Sequence, residues 1–108
     1  MLLVIIFDNI FSMWIIQESP EVYFELIEAP DLIQKKYIIW KDLVKQSGPF
    51  LPGKGWGLEK LSGPLQGFYS ARLNKKWRVI FEISGKIKIV GVRSVTPHLY
   101  EKVSRKLL

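Results

Sequence analysis

Few side chains in this 108-residue chain could do chemistry, and they lie in its second half. Arg78 stands in the middle of the run Trp77 to Ile83. By the period of two, Trp77, Val79, Phe81 and Ile83 share one face of a strand there, and Arg78 and Glu82 share the other with Ile80 between them. An arginine at that position is a candidate for a built-in cation; the bland alternative is a solvated face or an ion pair with Glu82. His98 is the sole histidine. In a basic chain such a residue is more often a surface side chain than an acid or base. With no Cys there is neither a disulfide framework nor a thiolate metal site, which fits a reducing cytoplasm. The glycines of the stretch 48–57, GPFLPGKGWG, do not make a phosphate cradle, because Lys54 is followed by Gly55 rather than by Ser or Thr.

The elements that must position these residues can be read in turn. Trp14 to Gln17 reads as a first strand. Ser19-Pro20 opens a helix, with Ser as N-cap, Pro at the first helical position and Glu21 in the first turn, and it should stop near Ala29. A second helix starts around Pro30-Asp31 and carries Ile33, Tyr37, Trp40 and Val44 as a core stripe, widened by Leu32, Ile39 and Leu43, until Ser47-Gly48-Pro49 ends it. Leu58 to Leu61 is a short strand. Phe68 to Leu73 and Trp77 to Ile83 form a hairpin around Asn74-Lys75-Lys76, where Asn is expected to take up the left-handed backbone of the turn. Ser84-Gly85 then turns into a strand from Lys86 to Arg93, and Thr96-Pro97-His98 leads to an amphipathic segment from Leu99 to Leu108.

Length and composition bound the chain to one domain with a real core, since 48% of residues are apolar and 13% aromatic. Residues 1–12, MLLVIIFDNIFS, are read as an apolar extension before a domain spanning 13–108. They lack the basic start of a signal peptide and the roughly 20 apolar residues of a membrane span. The net charge of +6 is unevenly spread. From Lys54 onward twelve Lys and Arg face three Glu, a net +9, whereas the residues up to Gly53 carry four Lys against seven acids, a net −3. A basic field on the β-rich half points to a polyanion such as nucleic acid, or to an acidic protein.

The runs Gly67-Phe68-Tyr69-Ser70-Ala71-Arg72-Leu73, Trp77-Arg78-Val79-Ile80-Phe81 and Val95-Thr96-Pro97-His98-Leu99-Tyr100 resemble the RelE/ParE superfamily of bacterial toxins, over about Trp14 to the end. The resemblance implies an α+β domain in which two N-terminal helices pack on a twisted antiparallel sheet of about four strands, with a short C-terminal helix. It implies an endoribonuclease that cleaves mRNA on the ribosome without metal or other cofactor, and a cognate antitoxin that silences it. Carried over position by position, Arg78 stands where the family has its catalytic strand arginine. Glu59 matches the spacing of the general-base glutamate of YoeB-like members, and His98 their general-acid histidine, although a helix follows it here. Tyr100 resembles the tyrosine that RelE-like members place at the start of the last helix.

Metal-free cleavage by attack of a 2′-hydroxyl needs a base, an acid for the leaving oxygen and a cation for the charge on phosphorus. Glu59, His98 and Arg78 match those needs, though Glu59 could instead pair with Lys60 or Lys54 on a loop. Arg72, across the hairpin, could add charge to the same surface, and Lys54, Lys60, Lys75 and Arg93 could hold flanking phosphates. Tyr100 could stack on a base or pack under the last helix. Two other functions remain open: a ParE-like inhibitor of DNA gyrase that cuts nothing, and a basic RNA-binding module without catalysis.

Overall fold

The helical layer is built where two proline-led segments present apolar stripes to a sheet. The structure, a computed structural model, describes residues 13–97. Strand β1 (Ile15–Glu18) leads into α1 (Pro20–Glu28) and α2 (Asp31–Ser47), and the chain then crosses to β2 (Glu59–Lys60), β3 (Tyr69–Arg72), β4 (Trp77–Ser84) and β5 (Ile89–Pro97), with short 3-10 turns at Lys54–Trp56 and Gly63–Leu65. Ser19 occupies the N-cap position of α1, yet its hydroxyl caps nothing. It donates instead to the Arg93 carbonyl oxygen at 3.0 Å, tying the helix start to β5.

The sheet has five strands in the order β1-β5-β4-β3-β2. It is mixed rather than antiparallel, and it has one strand more than expected: β1 runs parallel to β5, with Ile15 beside Ile89 and Glu18 beside Val92. The pattern of each strand shows its faces but not its neighbour, and only the crossover of the two helices allows β1 to enter beside β5 in the parallel sense. β5 also begins later than its sequence suggests. Gly85 to Lys88 form the turn, with Lys88 at φ 52°, and the strand continues through Pro97.

Trp40 centres the core. It is fully buried, 5.9 Å from the Tyr37 ring and 5.3 Å from Phe81. Ile33, Tyr37, Trp40 and Val44 of α2 meet Val79, Phe81, Val90, Val92 and Val95 from the sheet, as the helical stripe and the period-two face require. The widening of that stripe does not hold: Leu32, Ile39 and Leu43 are exposed, because α2 meets a single sheet surface with a narrower arc. Gly48 ends α2 at φ 84°, and a side chain there would begin 2.9 Å from Trp14 Nε1. The amphipathic segment expected after His98, and residues 1–12, lie outside the described residues.

Candidate active site on the face away from the helices

Register puts the charged residues together. Across β3, β4 and β5, Arg72 pairs with Arg78 and Arg78 with Thr96. One rung along, Glu59 of β2 pairs with Ser70, Ser70 with Ile80, and Ile80 with Ser94. The helices claim the alternate positions Val79, Phe81 and Val95, so both rungs belong to the opposite face. Ile80, the apolar residue on that face, is covered by Leu61, Leu65 and Phe68 from the segment before β3.

The hairpin turn holds Arg78 by its own backbone. Its Nη1 donates to the Asn74 carbonyl at 2.7 Å and to the Trp77 carbonyl at 3.2 Å, and the residue is only 8% exposed. It is therefore not a solvated arginine. Nor does it pair with Glu82, whose ion pair is with Arg93 at 3.9 Å. Asn74 builds this turn without the left-handed backbone expected of it: among the described residues Lys88 alone, apart from glycines, has a positive φ. Its side-chain oxygen instead accepts from the amides of Lys76 and Trp77 at 2.8 and 2.7 Å, so the side chain closes the turn by mimicking a backbone carbonyl.

The other sequence candidates divide. Arg72 is exposed beside Arg78, and Glu59 is exposed one rung away with no ion pair to Lys60. Lys60 pairs with Tyr69, whose ring stacks on Phe81, so it falls on the helix-facing parity and is not brought to Arg78. Lys75 is exposed at the hairpin turn. Arg93 is the extra residue of a bulge in β5, because Ile80 pairs with Ser94 while Phe81 already pairs with Val92. The bulge turns Arg93 toward the same face as Glu82, and among the described residues its Nε is buried without a hydrogen-bond partner. His98, Tyr100 and the Lys54 side chain lie outside the described residues.

Two positioning residues escape a reading of the sequence. Gly57 adopts φ 47°, and a side chain there would begin 3.2 Å from Arg72 Nε, so its bareness makes room for the guanidinium. Glu25 of α1 reaches the edge of β5 that β1 leaves uncovered, accepting from the Val95 amide at 3.1 Å and from the Ser94 hydroxyl at 2.7 Å. A Gly in a Gly-rich loop and a Glu in an acidic helix carry no mark of these contacts. Among the described residues no group of His, Cys, Asp and Glu is placed to hold a metal ion, and no helix is long and apolar enough to cross a membrane.

No protein-family model matches the sequence, and no curated protein does. Solved structures do. The archaeal RelE in the RelE–RelB complex of Pyrococcus horikoshii OT3 superposes with a TM-score of 0.66 at 21% identity, over 82% of this chain and 98% of that one. YoeB in the YoeB–YefM toxin–antitoxin complex of Staphylococcus aureus gives 0.62 at 23% identity, over 81% and 99%. YafQ of E. coli gives 0.65 at 16% identity, over 82% and 97%. Two helices on one face of a five-stranded mixed sheet thus have the fold of the RelE- and YoeB-like toxins.

Proposed function

We propose that this protein is the toxin of a type II toxin–antitoxin pair, an endoribonuclease that cuts mRNA at the ribosome and is silenced by a cognate antitoxin. The observation that carries this reading is the Arg72–Arg78 pair on the face away from the helices, with Glu59 one rung away. Two cations directly opposite each other on neighbouring strands repel, and a bound anion would offset that repulsion. The likeness to toxins solved with RelB and YefM supports the antitoxin as partner.

In this reading Glu59 takes the proton of a 2′-hydroxyl as its oxygen bonds to phosphorus. Arg78, oriented by the turn carbonyls, balances the charge of the pentacovalent phosphorus, and Arg72 draws the phosphate in from solvent. The bond from phosphorus to the 5′-oxygen breaks, and His98 protonates that oxygen. The products are a 2′,3′-cyclic phosphate and a 5′-hydroxyl. Arg93 and Lys75 hold flanking phosphates.

Inducible expression in a bacterium, with primer extension on a reporter mRNA, tests this. Growth arrest with defined cuts supports the endoribonuclease. Arrest with intact mRNA and damaged DNA transfers the reading to a gyrase inhibitor, and binding to RNA without cuts to a non-catalytic module. A His98→Ala variant that cuts at the wild-type rate would move the chemistry to the Lys and Arg side chains and Tyr100.

A further inference from the structure

The face that carries the arginines has a second feature at its other end. Where β4 turns into β5, a cavity of about 340 Å³ is lined by Gln17, Gly67, Glu82, Ser84, Ile87 and Gly91, among others. That volume lies at the lower end of the range for small-ligand sites. Its floor follows from register: Gln17 of β1 pairs with Gly91 of β5, and Gly91 with Glu82 of β4. A carboxamide and a carboxylate therefore flank one bare glycine, about 10 Å apart across two strand spacings. A side chain at Gly91 would begin 3.3 Å from Glu82 Cγ, so the glycine keeps the floor bare and leaves the Glu82 side chain unshifted. Ile87, 62% exposed on the turn, gives an apolar wall.

We propose that this cavity is a nucleobase subsite selective for guanine. The proposal rests on the reading of this face as an RNA-binding surface. A flat ring lies over the Gly91 backbone and against Ile87, with hydrogen-bonding groups meeting it from opposite edges. Glu82 is an acceptor with two parallel oxygens, and the guanine N1–H and N2–H present two parallel donors. Adenine and cytosine set an acceptor beside their amino group, and uracil sets carbonyls on both sides of its N3–H, so each turns a lone pair toward the carboxylate. Gln17 can donate to N7 on the far edge, which pyrimidines lack. Arg93 lies 3.9 Å from Glu82 with both side chains about half exposed, so the ion pair leaves the carboxylate open to a ligand. Glu82 lies four residues from Arg78 along β4, about 13 Å, so an extended strand with its phosphate at the arginine pair reaches the cavity within a few nucleotides.

The test is titration of the purified full-length protein with GMP, AMP, CMP and UMP, followed through the amide resonance of Gly91, together with mapping of cut sites in RNA. GMP is expected to bind at least about tenfold more tightly than the other three. Glu82→Gln, which replaces one acceptor oxygen by a donor, should abolish that preference, and Gly91→Ala should weaken every nucleotide. In cut-site mapping the wild type should favour guanine at one fixed offset from the cut, and Glu82→Gln should spread the cuts. Equal affinity for the four nucleotides, or a guanine preference that survives Glu82→Gln, overturns the subsite. Guanine-selective binding by a protein that cuts no RNA leaves the subsite standing and removes the endoribonuclease; RNA cut without guanine bias, with nucleotides bound alike, does the reverse.

Discussion

Arg72 and Arg78 face each other directly across the β3–β4 hairpin, one exposed and the other held by the carbonyls of Asn74 and Trp77. The two should therefore separate activity from stability. Arg78→Ala is expected to lower RNA cleavage by about 100-fold or more, through loss of the fixed cation. It should also cost about 1 kcal/mol, because the Asn74 and Trp77 carbonyls lose a charged donor. Arg72→Ala should reduce cleavage while melting at or slightly above the wild-type temperature, since it relieves a like-charge pair. Cleavage assays and thermal melts on both variants check this, and equal destabilisation would contradict it.

Trp40 is fully buried between the Tyr37 and Phe81 rings, so Trp40→Ala is expected to cost about 3–5 kcal/mol by leaving a cavity between helix and sheet. A chemical-denaturation midpoint like that of the wild type would contradict the packing described.

Much of the local structure was legible in the chain because single elements obey simple periods. The stripe from Ile33 to Val44 and the alternation of Trp77 to Ile83 put both halves of the core on the correct faces, and Pro20 and Gly48 mark helix ends by their backbone limits. What was not legible depends on contacts between distant segments. The parallel pairing of β1 with β5 and the capping of β5 by Glu25 join residues about seventy positions apart, and the bulge at Arg93 depends on how β4 and β5 align. For the site, residue type and period two sufficed to set Arg78 apart on its strand. Arg72 and Glu59 were candidates from the sequence as well, but the alignment of β2, β3 and β4 is what brings them to its face, and the same alignment sends Lys60 to the other side.

Tyr37 links the core to pH. Its hydroxyl donates to Glu18 Oε2 at 2.5 Å, while Lys41 reaches the same oxygen at 3.3 Å. Burial, and then the hydrogen bond and charge of Glu18, hold the phenol neutral well above its ordinary pKa of 10.0. The unfolded chain releases this proton first as the pH rises, so the contribution is complete below about pH 10 and is lost progressively above it. Urea unfolding at pH 9 and pH 11 should show a larger loss for the wild type than for Tyr37→Phe. Equal losses would mean that the phenol is not held neutral.

The last prediction separates positioning from backbone strain. Gly57 and Gly53 both have positive φ, 47° and 97°, but a side chain at Gly57 would crowd Arg72 at 3.2 Å from Nε, whereas one at Gly53 would meet nothing within 4 Å. An alanine at either position takes on backbone strain of about 1–2 kcal/mol or more, since L-residues avoid that region. Only at Gly57 must a guanidinium on the candidate site also give way. Gly57→Ala is therefore expected to weaken RNA binding and to flatten its dependence on salt by about one released counterion, as Arg72 loses its phosphate. Gly53→Ala should share the loss in melting temperature and keep the wild-type salt slope. Binding isotherms at several salt concentrations for the two variants, set beside Arg72→Ala, decide the matter. If Gly57→Ala and Gly53→Ala have the same slope, the glycine serves only the turn, and Arg72 does not depend on it.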